Sequence, residues 1–492
     1  MKNVRNLKSI MLLFALIFSF LFIKANNVSI SNVSLTAVDD STKKINFNLS
    51  WDQSWRTSTS PNNHDAVWLF VKYKDCASGN WRHAKLSDTL VHHTVAAPLE
   101  LFIDGKDSYP TVLNYANGII ARRSASGNGN IANVAISLEM IKLSPGEHDY
   151  RIFGIEMVYI PTGSFYLGDG INTGTFKVGN TTDPFQVTTD GAITAANSVP
   201  NLYASATVPL NILAAFPTGY DSIYCMKYEI SQGQYSDFLN TLNQDQATVR
   251  AYTAAANGNN ISGIWPNYAS STPDRANNHM AWADMLAYLD WSCLRPMSEM
   301  EFEKICRGPA IPIRYEYAWG TSNMVSVTAA TILGGTDGQP NEQFINAIPL
   351  GFGVGCMNGM SRPTRCGFAS TATSTRLEAG ATFYGVMEMT GNLNEYTITT
   401  AHVNGQNFSS IRIGDGQLAL TPTPGEADVL TWPSTDGTAN TGFGTRGGGI
   451  ESAAGASAPA APTSSTAQVS ERSRAIWANA PRYYYTGGRG VR

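Results

Sequence analysis

Charged side chains are scarce: Asp, Glu, Lys and Arg together make 15% of the 492 residues, against roughly a quarter in an average soluble domain. The surface is therefore expected to be built from Asn, Ser, Thr and Tyr on loops and strands, the texture of a β-rich exported protein. Cysteine is scarcer still, with six in the chain, at 76, 225, 293, 306, 356 and 366. That is too few for a disulfide scaffold, so packed cores and not bridges must define the fold. Positive charge is in deficit too, the formal net charge being −4, and the basic footprint of a nucleic-acid partner is absent. Long apolar runs are missing beyond the first 25 residues, which excludes a membrane span there.

What is present points to a folded, exported chain. Apolar residues reach 43%, enough for a sizeable core and too many for a disordered tail. At the start, Lys2, Arg5 and Lys8 precede an apolar run from Ile10 to Ile23. Positive flank, short apolar run and polar Asn26-Asn27 read as a secretory signal over residues 1–25, with an uncleaved anchor as the other reading. Its removal takes four positive charges and no negative one, leaving −8. The expected location is secreted, periplasmic or at the cell surface.

Between residues 26 and 150, short alternating segments such as Val28 to Leu35, Ile45 to Trp51, Ala66 to Tyr73 and Ala135 to Leu143 predict an antiparallel, sandwich-like all-β domain. Ser124 to Asn130 reads as a loop, and Ser144-Pro-Gly-Glu as the turn before a last strand. A second domain over 151–492 carries three predicted helices. Ser231 caps one with Tyr235, Phe238, Leu239 and Leu242 on one stripe; another runs from Ala281 to Trp291. The third has a Ser298/Glu301 capping box, Phe302, Ile305 and Cys306 on one face, and Gly308 as its stop. After Gly308 almost nothing has helical period, so irregular chain and short strands must hold that core. Residues 451–470, nearly all Ala, Ser, Pro and Thr, read as a surface loop.

The second region carries a series of motifs. Glu156-Met-Val-Tyr-Ile-Pro-Thr-Gly-Ser-Phe-Tyr-Leu-Gly168 is followed by Lys227-Tyr-Glu-Ile-Ser-Gln-Gly-Gln-Tyr235 and Ala281-Trp-Ala-Asp-Met-Leu-Ala-Tyr288. Then come Leu294-Arg-Pro-Met-Ser-Glu-Met-Glu-Phe-Glu-Lys304 with Arg307-Gly308, Ala318-Trp-Gly320, Gly385-Val-Met-Glu-Met-Thr-Gly-Asn-Leu-Asn-Glu-Tyr396 and Arg446-Gly-Gly-Gly449. In this order they resemble the formylglycine-generating enzyme, or sulfatase-modifying-factor, family over residues 154 to 492. The resemblance implies an α+β, C-type-lectin-like fold with much irregular structure. It says nothing about residues 26–150, and a fold alone implies no activity.

The family's enzyme oxidises a peptide thiol with copper held between two cysteine thiolates, ligands that suit Cu(I). Those cysteines follow the Arg-Gly-Gly motif, yet Arg446 to Arg492 contains no Cys. Family catalysis therefore does not carry over to this interval. Cys356 and Cys366, nine residues apart in between, have two readings: a disulfide closing a loop, or a relocated copper pair in a divergent oxidoreductase acting on a peptide or small thiol. The seven histidines show no ligand spacing and read as core or surface residues. The resemblance also implies a calcium site, because the family's Gly-Asn-x-Trp-Glu segment wraps Ca²⁺ and Gly391-Asn-Leu-Asn-Glu395 keeps Asn392 and Glu395. Their other reading is hydrogen bonding within a turn.

The expectation is thus a secreted or envelope protein whose family domain is non-catalytic and used for ligand binding or surface assembly. Trp477, Tyr483, Tyr484 and Tyr485 offer the ligand surface, toward a protein or glycan or an envelope partner. Strand packing is the alternative account of the tyrosine run.

Overall fold

The computed structural model of the protein describes residues 27–492 apart from 77, 106–113, 171–173, 328–332, 358–359, 372, 421–422, 438–439, 452–465 and 479–480. The expected export signal and most of the 451–470 stretch lie outside the described residues.

Described strands up to residue 160 are β1 (Ser29–Ala37), β2 (Lys43–Arg56), β3 (Asp65–Asp75), β4 (Trp81–His83), β5 (Lys85–Leu86), β6 (Thr94–Val95), β7 (Leu99–Phe102), β8 (Ile119–Arg123), β9 (Gly127–Ile141) and β10 (His148–Ile160). One sheet has the order β1-β2-β9-β5, with β6 beside β9. The other begins with the strand Ile223–Met226 and continues β10-β3-β8-β7, with β4 on β3. The two sheets share a core in which Ile45, Phe47, Leu49 and Trp51 of β2 meet Val67, Leu69 and Val71 of β3 and Ile136 and Leu138 of β9. The predicted strands are all present. The loop expected at Ser124 to Asn130 is corrected: β9 already starts at Gly127, because the long β2 keeps pairing through Ser54↔Gly129 and Arg56↔Gly127.

β3 explains how the two regions join. Its residues Asp65 to Tyr73 are all buried, since alternate side chains enter different cores. Val67, Leu69 and Val71 face the first; Ala66, Trp68 and Phe70 belong to a second core with Trp282, Tyr288 and Trp291. A strand buried on both faces reads as a continuous apolar run. Phe70 meets Trp291 edge-on at 5.1 Å between centroids, a geometry worth about 1 kcal/mol beyond area burial. β10 runs through residue 150 without interruption, paired with β3 from His148↔Asp75 to Val158↔Asp65 and with Ile223–Met226 from Met157↔Met226 to Ile160↔Ile223. The expected boundary near Tyr150 thus falls inside a strand.

The helices are α1 (Gln232–Leu239), α2 (Gln244–Arg250), α3 (Trp282–Trp291), α4 (Glu299–Arg307) and a single turn at Val403–Gln406. The three predicted helices are α1, α3 and α4, and α1 and α4 carry complete capping boxes from Ser231 and Ser298. Asn243 caps α2, which the apolar periodicity did not announce. Gly308 ends α4 at φ 62°, where a Cβ would stand 2.4 Å from Phe383; glycine is needed for the conformation and the space alike.

α4 looks amphipathic in sequence but every residue of it is buried. Its charged side enters a neutral cluster of three carboxylates and three guanidinium groups. Glu299 accepts from Arg446 at 3.1 Å and from Arg472 at 2.7 and 3.0 Å. Glu303 accepts from Arg446 at 2.9 Å and from Arg307 at 3.1 Å, and Arg307 pairs also with Glu316. Backbone N–H groups of Thr400 and Gly168 complete the two glutamates at 2.8 and 2.7 Å.

Burial pushes the Glu299 carboxyl up, but Arg472, Arg446 and the Thr400 N–H together outweigh it and hold it at about 2, below its ordinary 4.5. A lowered carboxyl pKa adds stability that is fully present above 4.5 and is lost as pH falls toward 2. Glu299→Gln is expected to cost about 3 kcal/mol at pH 7, the scale for stranding buried charge. In urea unfolding, the gap between Glu299→Gln and the unsubstituted protein should narrow between pH 4.5 and pH 2; a gap independent of pH would contradict this account.

Candidate functional site

The motifs converge on a three-stranded sheet, Phe443–Arg446, Asn394–Ile398 and Thr486–Gly487 in that order. Asn394 opens the central strand and anchors what lies at its end. Its Nδ2 donates to Glu451 Oε1 at 2.6 Å, and its Oδ1 accepts from Arg474 Nη1 at 3.1 Å. Arg474 also pairs with Glu451, and its guanidinium lies 5.3 Å from the Trp477 ring centre. The Asn394 N–H donates to the Tyr485 carbonyl at 2.8 Å, tying the tyrosine run to this strand.

On this frame the rings of Trp477, Tyr483 and Tyr485 stack. Tyr483 and Tyr485 are near-parallel at 5.0 Å and 4°; Trp477 lies 5.6 Å from Tyr483 and 6.1 Å from Tyr485. Tyr484 meets Tyr485 edge-on at 4.9 Å. All four residues are half-buried. Tyr484 and Tyr485 also pack on the core around Ile450 and Cys356, so strand packing accounts for one side of them and leaves the stacked rings partly exposed. The supporting trio of Asn394, Glu451 and Arg474 was missed in the sequence. Its only trace there is Glu451 ahead of the uncharged 452–470 stretch and the Glu471-Arg472-Ser-Arg474 group after it.

The cysteines are corrected. Cys356 and Cys366 are free, not bridged, and both are fully buried in separate apolar clusters. Cys356 closes the parallel pair with Met324–Val327, and the Cys366 thiol points to the Glu229 carbonyl at 3.5 Å. Burial first, and then the neighbouring Glu229, push both thiols far up from 9. Copper(I) needs accessible thiolates, and this pair does not fit it.

The proposed calcium ligands are likewise occupied. Glu395 is wholly buried and receives Arg489 Nε at 2.9 and 2.8 Å on its two oxygens. Asn392 Oδ1 accepts from the Thr364 N–H at 2.9 Å and its hydroxyl at 3.1 Å, and Nδ2 donates to Glu229. A guanidinium fills the place a cation would take, so these two residues do not fit Ca²⁺; nor do they simply bond within a turn, since their partners Arg489, Thr364 and Glu229 lie on distant segments. Among the described residues one group of carboxylates lies close together, Asp290, Asp415 and Asp428. There the buried Asp290 accepts the backbone N–H of Asp415 at 3.0 Å and of Asp428 at 3.1 Å.

A family model described as the sulfatase-modifying factor enzyme 1-like domain matches residues 151–467, more than half of the chain. The chain belongs to this family. Among curated proteins, none matches it. In this sulfatase-modifying-factor domain the matched stretch includes Asn394, Glu451 and the ion cluster except Arg472, and ends before Arg472, Arg474, Trp477 and the tyrosine run. The ring stack is thus specific to the part of the site that the family pattern does not cover.

Two expectations follow. The reduced native protein should titrate one thiol with Ellman's reagent, the exposed Cys76, and all six only after unfolding; rapid labelling of Cys356 or Cys366 would reopen a reactive pair. Glu395→Gln should cost about 3–5 kcal/mol by leaving Arg489 buried and unpaired. The loss should be equal in EDTA and in millimolar calcium, whereas a loss seen only with calcium would restore the metal reading.

Proposed function

We propose that this is an exported, secreted or envelope protein whose sulfatase-modifying-factor domain binds a ligand and does not oxidise thiols. The observation that carries the reading is the half-exposed stack of Trp477, Tyr483 and Tyr485, held from behind by Asn394, Glu451 and Arg474. Large rigid rings supply contact area at little conformational cost and suit the flat faces of a glycan or a protein surface. The buried, high-pKa thiols supply no nucleophile at neutral pH. In this reading the N-terminal unit, joined to the second region by the continuous strand β10, serves as a spacer or second contact surface. Assembly into an envelope structure is the same binding chemistry with a permanent partner.

The test uses the full exported chain against a panel of hexoses, N-acetylhexosamines and short oligosaccharides, and against proteins recovered with it. Binding followed by tryptophan fluorescence should weaken at least tenfold, about 1.4 kcal/mol, in Trp477→Ala and Tyr483→Ala with unchanged melting temperature. A stable stoichiometric partner released by the same substitutions would mark assembly. Conversion of a cysteine peptide to an aldehyde by the Cu(I)-loaded protein, abolished in Cys356→Ser, would overturn the reading.

A further inference from the structure

A second cavity, sharing no residue with the ring stack, opens where the N-terminal sheets meet the second region. Its volume is about 550 Å³. Its walls are aromatic: Trp55 near the end of β2 faces the segment that carries Phe383 and Tyr384. The two sides are clamped together, since Asn63 Nδ2 donates to the Tyr384 carbonyl at 2.7 Å. A Cβ on Gly385, whose φ is 94°, would meet the Trp55 ring at 3.1 Å, so glycine lets the loop close against that wall.

The polar groups of this cavity are mismatched. Lys227 is matched by Glu156 at 3.0 Å, and Asp52 accepts from Asn27. Two neutral donors have no acceptor among the described residues, and one guanidinium has no carboxylate partner. Tyr384 is 7% exposed and its hydroxyl makes no hydrogen bond among the described residues. The Trp55 indole N–H has no acceptor there either. Arg376 stands exposed at the rim; its Nη1 donates to the carbonyls of Ala381 and Thr382 at 2.9 and 3.0 Å, and no described carboxylate pairs with it. Two neutral donors within aromatic walls and an uncompensated guanidinium at the mouth call for acceptors and negative charge on a flat body. The Tyr384 hydroxyl and the Trp55 N–H are open to the cavity, so a ligand that brings acceptors pairs with them in place of solvent, and guanidinium favours a carboxylate through paired N–H···O contacts.

We propose that the cavity between Trp55 and Tyr384 binds a small carboxylate carried on a flat ring, its carboxylate at Arg376 and its ring between the aromatic walls. An aromatic acid and a sugar acid share this chemistry, and the experiment separates them. Saturation-transfer NMR and calorimetry on the full chain would use benzoate and glucuronate, with benzamide and glucose as uncharged counterparts.

At least one acid should bind with a Kd near or below ~1 mM and at least tenfold more tightly than its uncharged counterpart. Arg376→Gln should erase that difference. Tyr384→Phe should weaken the acid severalfold, and Trp477→Ala should leave it unchanged. Because Arg376 also holds the Ala381 and Thr382 carbonyls, Arg376→Gln is compared with Arg376→Lys, which should keep a preference for the acid, and both must keep the melting temperature; equal loss in the two would overturn the role of the charge. The proposal is overturned if neither acid binds saturably by 10 mM, on the order of the weakest binding such a site could use. It is equally overturned if acid and counterpart bind alike, or if binding is lost in Trp477→Ala and not in Arg376→Gln. Failure here leaves the ring-stack reading untouched, and failure there leaves this one.

Discussion

The buried charge cluster on α4 is the constraint on which the second region depends. Glu299 and Glu303 stand one helical turn apart and are held by Arg446 from the central sheet, Arg472 from the C-terminal segment and Arg307 from the helix itself. Three segments far apart in sequence are thereby fixed at one point. Such a cluster is weak evidence for net stability, because desolvating six charged groups costs much of what their attraction returns. Its consequence is specificity of arrangement: any register that separates one partner leaves a charge buried alone. A chain with few helices and much irregular backbone has little other means of specifying where its loops go. The same logic recurs at Glu395–Arg489 and at Arg295–Glu301, both wholly buried.

Around this point the architecture is continuous. β3 separates two cores and contributes to both, and β10 carries the N-terminal sheet directly into the opening strand of the family domain. The sheet supplies apolar surface on both faces, and the loops of the second region are positioned by ion pairs and not by helices. It also creates the junction at which Trp55 and Tyr384 face each other, a cavity that neither region forms alone.

The ring stack sits where the central strand ends, and its support is polar. Asn394, at the position where the family carries a tryptophan, removes a large packing group and supplies an amide that bridges Glu451 and Arg474. Cys356 and Cys366 are drawn into separate apolar clusters.

Local rules were enough for what is local. The capping boxes at Ser231 and Ser298, the stop at Gly308, the alternating strands of the first region and the ordered family motifs were all legible, because helix caps, periodicity and turn glycines act within a few residues. The N-terminal edge of β9 and the presence of α2 were not, since a long partner strand and a polar helix cap decided them against weak local signals. The disulfide read spacing as proximity, and the calcium ligands were carried over from the family's motif. Nine intervening residues suit a bridge, but each thiol is claimed by a different core, and Glu395 had a guanidinium partner 94 residues away. By itself the sequence determined the family and the mixed helix-and-strand class. Only the tertiary structure decided which charges are buried together, which rings stack and which donors are left without acceptors, because those depend on contacts between segments that no local pattern encodes.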